Sequence, residues 1–212
     1  MKKSYERSAD VFVVIFILLS LLISSFVLAS TEEAESKVKR VFEQIESSLF
    51  SLKSKNEFTK ANVKNELTKY FLPEVNSQYF SYKVLNKNLP KISKEQKDEF
   101  VRELTSQLIN TYSHLLTKHN DETISVGRGV LSKSGKIAIV NLTIVGKNKS
   151  NKAVVKMLKS SDESWKFYDI VVEGVSLIDT KQAEINSSIN KLGLEATLQR
   201  LKDINSRSIT TS

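Results

Sequence analysis

With 212 residues, 40% of them hydrophobic, the chain is long enough for one cored domain or two small ones, which argues against disorder. It has no cysteine, two histidines, two prolines and six glycines. That excludes disulfides, thiolate catalysis, cysteine zinc sites and collagen-like or proline-rich character, and leaves little material for a metal. A formal charge of +8 points to anionic partners, phospholipid surfaces or nucleic acid, without choosing between them.

The chain begins with Lys2, Lys3 and Arg7 and then runs uncharged from Val11 to Leu28. Val27-Leu28-Ala29 follows as a signal-peptidase site, so the order of regions predicts a signal peptide over 1–29, cleaved after Ala29. The alternative is an uncleaved anchor. The apolar run of 18 residues is at the lower limit for spanning a bilayer, and Ser20, Ser24 and Ser25 weaken it. Either way the body of the protein leaves the cytoplasm, so nucleic acid is not expected as a partner.

Ser30 and Glu33 form an S-x-x-E capping box, and Val38, Val41, Phe42, Ile45, Leu49 and Leu52 recur at helical spacing to near Lys53. A shorter helix carries Val63, Leu67, Tyr70 and Phe71; Pro73 breaks it and starts a third, with Val75, Tyr79, Tyr82 and Leu85 on one face. Pro90 ends that helix. Ser93 with Gln96 caps a long fourth one to about His119, lined by Phe100, Leu104, Leu108, Tyr112 and Leu115, and widened by Ile109 and Leu116. From Glu122 the period becomes two. Strands are expected around Ile124–Val130, over 136–146 with Ala138, Val140, Leu142 and Ile144 on one face, through Val154–Leu158, and over 164–173. Gly174 is read as the end of the sheet. Two helices follow, interrupted at Gly193, and a polar tail covers 205–212.

Helices that precede and follow a meander, instead of alternating with strands, give an α+β fold. The expected architecture is a single domain over 30–204. In it a curved four-stranded antiparallel sheet is wrapped by about six helices into a nuclear-transport-factor-like cone with an apolar cavity.

Catalytic motifs are missing: no G-x-S-x-G, Walker loop or H-E-x-x-H is present. Gly127-Arg128-Gly129 inside a strand reads as a bulge. His114 and His119 are five apart and do not share a helix face, so no metal site is expected. Asp169 lies among Tyr168, Ile170, Val171 and Val172. It is either an acid or base in a cavity or, the preferred reading, a structural carboxylate satisfied by backbone amides or a lysine. Lys147, Lys149 and Lys152 cluster at one hairpin tip, as a solvated turn or a patch for anionic partners.

The run Trp165-Lys166-Phe167-Tyr168-Asp169-Ile170-Val171-Val172-Glu173-Gly174-Val175-Ser176-Leu177 resembles the signature of the MlaC family of periplasmic phospholipid-binding proteins. Thr180-Lys181-Gln182, Gly193, Leu198 and Leu201 continue the likeness downstream; Leu72-Pro73, Tyr79, Val84-Leu85, Phe100, Leu104, Leu108 and Tyr112 fit it upstream. The chain departs at Asn86 and Ala196, where many members have Gly, and at Gln182, where many have Arg. The resemblance implies a carrier of glycerophospholipid, monomeric and without cofactor or enzymatic step. It implies exchange with an inner-membrane ABC transporter complex bearing a periplasmic lipid-binding ring and with an outer-membrane lipoprotein–porin complex. The expected acyl-chain wall is Val140, Leu142 and Ile144 with Tyr168 and Val172 from the sheet, facing Tyr79, Leu85, Leu104, Leu108 and Tyr112 from the helices. Two alternatives from other classes are a membrane-anchored, cone-shaped assembly subunit of an envelope complex, and a small periplasmic enzyme using Asp169.

Overall fold

The computed structural model describes residues 31–118, 122–147 and 149–210. The expected signal segment, the Ser30 cap and His119 lie outside the described residues. Helix α1 covers 31–54 and α2 Lys60–Glu66, the latter capped by Thr59 Oγ1, which accepts from the Asn62 N–H at 3.2 Å. α2 runs on into one π turn, Leu67–Phe71, and a 3-10 turn, Leu72–Glu74. Pro73 lies in that tight turn rather than starting the third helix. Val75 turns extended and makes a parallel bridge to Phe167, and the Asn76 N–H donates to the Phe167 carbonyl at 2.7 Å. Only then, under an Asn76 cap, does α3 (Ser77–Leu85) begin.

Asn86 adopts φ +45 at the end of α3. A positive φ favours glycine, so this asparagine holds a conformation that L side chains rarely adopt. A 3-10 segment (Asn86–Lys91) leads to α4 (Lys94–Lys118). Its expected capping box is formed: the Ser93 N–H donates to Gln96 Oε1 at 2.9 Å and the Gln96 N–H to Ser93 Oγ at 3.2 Å.

The sheet is an antiparallel meander in the order β1 (Thr123–Leu131), β2 (Ile137–Val145), β3 (Ser150–Lys159), β4 (Trp165–Val172), β5 (Val175–Ser176). It has five strands, not the four expected. Glu173 and Gly174 sit at φ +48 and +81, the positive pair that a tight two-residue hairpin requires. The chain therefore reverses at Gly174 and pairs Val175 with Val172 and Ser176 with Val171. α5 (Leu177–Leu192) and α6 (Leu194–Thr210) follow, divided at Gly193 with φ +83. The expected tail from 205 is helical through Thr210. Asn205 is buried, and its amide donates to the Glu103 carbonyl and Oε2, both at 2.9 Å, which docks the end of α6 on α4.

Two apolar cores result. The first lies between α1, α2 and one face of the sheet: Val38, Val41 and Ile45 meet Val140, Leu142, Val155, Met157 and Phe167, with Val63, Leu67 and Ile109 alongside. Phe167 anchors it, edge-on to Phe42 at 6.2 Å and stacked on Phe71 at 5.7 Å. The second core is helical: Phe80, Val84 and Leu85 pack with Phe100, Leu104, Ile178, Ile185, Leu198 and Leu201. The Gly127–Gly129 stretch is a bulge, as its sequence predicts, with the register shifting between Val126 and Gly129. α1 sits against it: a Cβ at Gly129 would meet Glu35 and Thr31 atoms at 3.3 Å.

Candidate functional site

Two elements touch both cores. α4 sends Ile109 and Leu116 into the sheet core and Phe100, Leu104 and Leu108 into the helical core. β4 sends Phe167 into the first and Tyr168 into the second. Neighbours on a strand point to opposite faces, which separates these two. A bulge then reverses the faces: Met157 pairs with Phe167 and Lys156 with Asp169, so Tyr168 has no partner in the ladder, and Val172, expected beside Tyr168, packs on the sheet core instead. The seam between the cores therefore runs along α4 and β4.

The ten residues expected to line an acyl cavity distribute around that seam. Val140 and Leu142 are buried in the sheet core, and Ile144 and Val172 pack against it. Leu85 and Leu104 are buried in the helical core, with Leu108 and Tyr168 packed against it. Tyr79 joins the second group through an edge-on contact with Tyr168, ring centroids 5.1 Å apart. Tyr112, one turn beyond Leu108, is 37% exposed. The structure thus assembles the set as two apolar groups on two cores, with Tyr112 at the surface.

Burial raises the Tyr112 phenol above its ordinary range, helped by the negative charge of Asp169. Tyr168 is pushed up to about 12 by burial, then by Tyr79 and Asp169. Both phenols are hydrogen-bond donors at neutral pH, not anions.

Asp169 itself is buried and fully engaged. Lys156 Nζ lies 2.9 Å from Oδ2, Ser176 Oγ donates to the same oxygen at 2.9 Å, and the Ile178 N–H donates to Oδ1 at 3.1 Å. Ser176 is also the N-cap of α5, accepting from the Asp179 N–H at 3.2 Å. The carboxylate pins the start of α5 to the sheet, where the helix dipole favours negative charge. This is the structural reading, with both a lysine and a backbone amide present. His114 is exposed on α4. Lys149 and Lys152 are exposed near the β2–β3 turn, as is Lys147; Asn148 lies outside the described residues.

Two open grooves lie elsewhere. One of about 290 Å³ runs between α4, α5 and α6, with Gln107, Ser188, Lys191, Thr197 and Arg200 among its walls. The other, about 280 Å³, lies between Phe42, Glu43 and Glu46 of α1 and residues Ile124–Val126 of β1. Neither includes any of the ten residues above. Among the described residues no helix is long and apolar enough to cross a membrane.

The family model described as "MlaC protein" matches residues 37–203, most of the chain. The chain belongs to the MlaC family. The MlaC match begins inside α1 and ends inside α6, so it spans both cores and the whole sheet. Over 205 residues the chain is 23% identical to the intermembrane phospholipid transport system binding protein MlaC of Haemophilus influenzae, covering 92% of this chain and 94% of that protein. Its fold matches that of a phospholipid-binding protein from Ralstonia solanacearum, solved in complex with a phospholipid. The TM-score is 0.74 at 18% identity, over 84% of this chain and 99% of that one. As a member of a family of binding proteins, the chain is not an enzyme.

α1 contributes none of the ten residues expected in the wall. Its residues Val38, Val41 and Ile45 cover the face that Val140 and Leu142 present. The signal was available in the amphipathic period of α1, which demanded an apolar partner. Nothing in the sequence marks the β4 bulge, which puts Val172 on the Phe167 side and separates it from Tyr168.

Proposed function

We propose that the protein is a phospholipid carrier of the periplasm, exported by a signal peptide over 1–29 that is cleaved after Ala29. The observation that carries this reading is the MlaC match across 37–203. The seam on which α4 and β4 join two apolar cores supports the place proposed for the acyl chains. In this reading the sheet and helices form a cone of the nuclear-transport-factor type. Val140, Leu142, Ile144 and Val172 wall the cavity on one side and Leu85, Leu104, Leu108, Tyr168, Tyr79 and Tyr112 on the other.

The physics explains why a carrier is needed. Moving two acyl chains of ~30 methylenes into water costs about 24 kcal/mol at ~0.8 kcal/mol each. A barrier of that height lets a lipid escape unaided on the order of once per 10⁵ s. An apolar cavity removes most of the cost and leaves the headgroup hydrated at its mouth. The lipid is about equally stable in bilayer and carrier, so the partners set the direction. Those partners are an inner-membrane ABC transporter complex with a periplasmic lipid-binding ring and an outer-membrane lipoprotein–porin complex, and the carrier works as a monomer without a nucleotide site.

The test is a charge in the cavity wall. Leu142→Asp or Leu108→Asp abolishes lipid loading, because a buried unpaired carboxylate is strongly disfavoured. Lipid extraction reads the loading and circular dichroism the fold. A folded variant that still carries phospholipid removes its residue from the wall.

A further inference from the structure

The groove between α4, α5 and α6 has a polar floor, a cationic wall and an apolar rim. On the floor, Gln107 is 7% exposed and its Oε1 has no hydrogen-bond partner. Leaving a buried acceptor unpaired is costly, and a ligand hydroxyl or N–H removes that cost. The Ser188 and Thr197 hydroxyls, bonded to each other at 3.0 Å, add further polar atoms to the lining. Lys191 and Arg200 are exposed on the wall, and neither forms an ion pair among the described residues. Glu184, the acid in the lining, is matched by Lys181 at 2.7 Å. At the rim, Leu192 is 51% and Ile204 40% exposed.

A free hydroxylated anion answers the floor and the wall and leaves Leu192 and Ile204 in water. A lipid headgroup presented by a bilayer answers all three, because its phosphate meets the cations while the rim enters the interface. We propose that this groove is a membrane-docking site that takes a hydroxylated anionic phosphate headgroup, of the phosphoglycerol class, from a lipid still seated in the bilayer. A headgroup hydroxyl donates to Gln107 Oε1, the phosphate lies between Lys191 and Arg200, and Leu192 and Ile204 pack against the glycerol and upper acyl carbons. Without Lys2, Lys3, Arg7, Glu6 and Asp10 the exported chain keeps a net charge of +7, which favours such a surface. The inference rests on the carrier reading only in requiring that the protein meets a membrane.

Vesicle flotation of the exported protein tests it. The vesicles are phosphatidylcholine mixed with phosphatidylglycerol or, at the same fraction, with phosphatidylmethanol, which has equal charge and no headgroup hydroxyl. The parent prefers phosphatidylglycerol by about fivefold, the worth of one good hydrogen bond. Gln107→Leu, with its helicity checked by circular dichroism, loses that preference. Lys191→Gln with Arg200→Gln weakens binding to both anionic vesicles by about twentyfold. Equal binding of the parent to the two anionic lipids, or a double variant that binds like the parent, overturns the proposal. So does soluble glycerophosphoglycerol that binds the groove as tightly as the vesicles do, which assigns the site to a free phosphate. Lipid extracted from the same preparations separates the two readings: a loaded protein without the preference fails the groove alone, and an unloaded protein that keeps it fails the carrier alone.

Discussion

Asp169 holds together the strand that serves both cores. It binds Lys156 of β3, Ser176 of β5 and the first turn of α5, so three elements depend on one carboxylate. Asp169→Asn keeps the size and removes the charge, leaving the Lys156 ammonium without its counter-ion. The expected loss is about 2–3 kcal/mol in urea unfolding, the range for hydrogen bonds to charged groups. An unchanged urea midpoint would contradict this. Glu74 does comparable work under pH control. Burial acts to raise its pKa, but hydrogen bonds and charges from Lys37 and then Lys166 outweigh it and hold the carboxyl below its usual range. A depressed carboxylate contributes stability that is present above its unfolded pKa and lost as pH falls through the folded one. Lys37 comes from α1 and Lys166 from β4, so acid loosens the joint between helix and sheet. Glu74→Gln therefore lowers stability at neutral pH by under about 1 kcal/mol. It also flattens the fall in stability below about pH 4.3. Denaturation series from pH 7 to 3 read this directly, and parallel curves for parent and variant would contradict it. At this scale the sequence was informative about Asp169, whose apolar neighbours demanded a partner. It was silent about Gln107, which reads as an ordinary polar position on α4 and is buried with its Oε1 unpartnered in the fold.

The elements show why some of the fold was legible and some was not. α4 could be read because its apolar stripe persists over 25 residues and a formed capping box opens it. β5 could not, because two residues carry no period; only the positive-φ pair at Glu173 and Gly174 betrays the hairpin. β1 is an edge strand, and α1 covers its donors. The Gly129 N–H donates to Glu35 Oε1 at 2.5 Å and the Ile124 N–H to Glu46 Oε1 at 3.1 Å. Unpaired edge amides invite pairing with another chain, and two helix-borne carboxylates prevent it here. Replacing Glu35 and Glu46 together with Ala exposes that edge. Sedimentation velocity should then show association that grows with concentration, while the parent stays monomeric. A double variant that remains monomeric over the same range would contradict this role for α1.

Across the whole molecule, the two cores meet along α4 and β4, and the residues assigned to the acyl chains divide between them. That division was hidden from the sequence. Val140 and Leu85 look alike as apolar positions, and the bulge at Tyr168 sends Val172 to the sheet core while Tyr168 faces the helices. The central claim is occupancy, and native mass spectrometry of the exported protein, followed by extraction of what it carries, tests it most directly. The expected result is a polypeptide of the length that begins at Ser30, with glycerophospholipid bound in near-stoichiometric amount. A bare polypeptide recovered from a membrane-containing host, with no phospholipid in the extract, would contradict it.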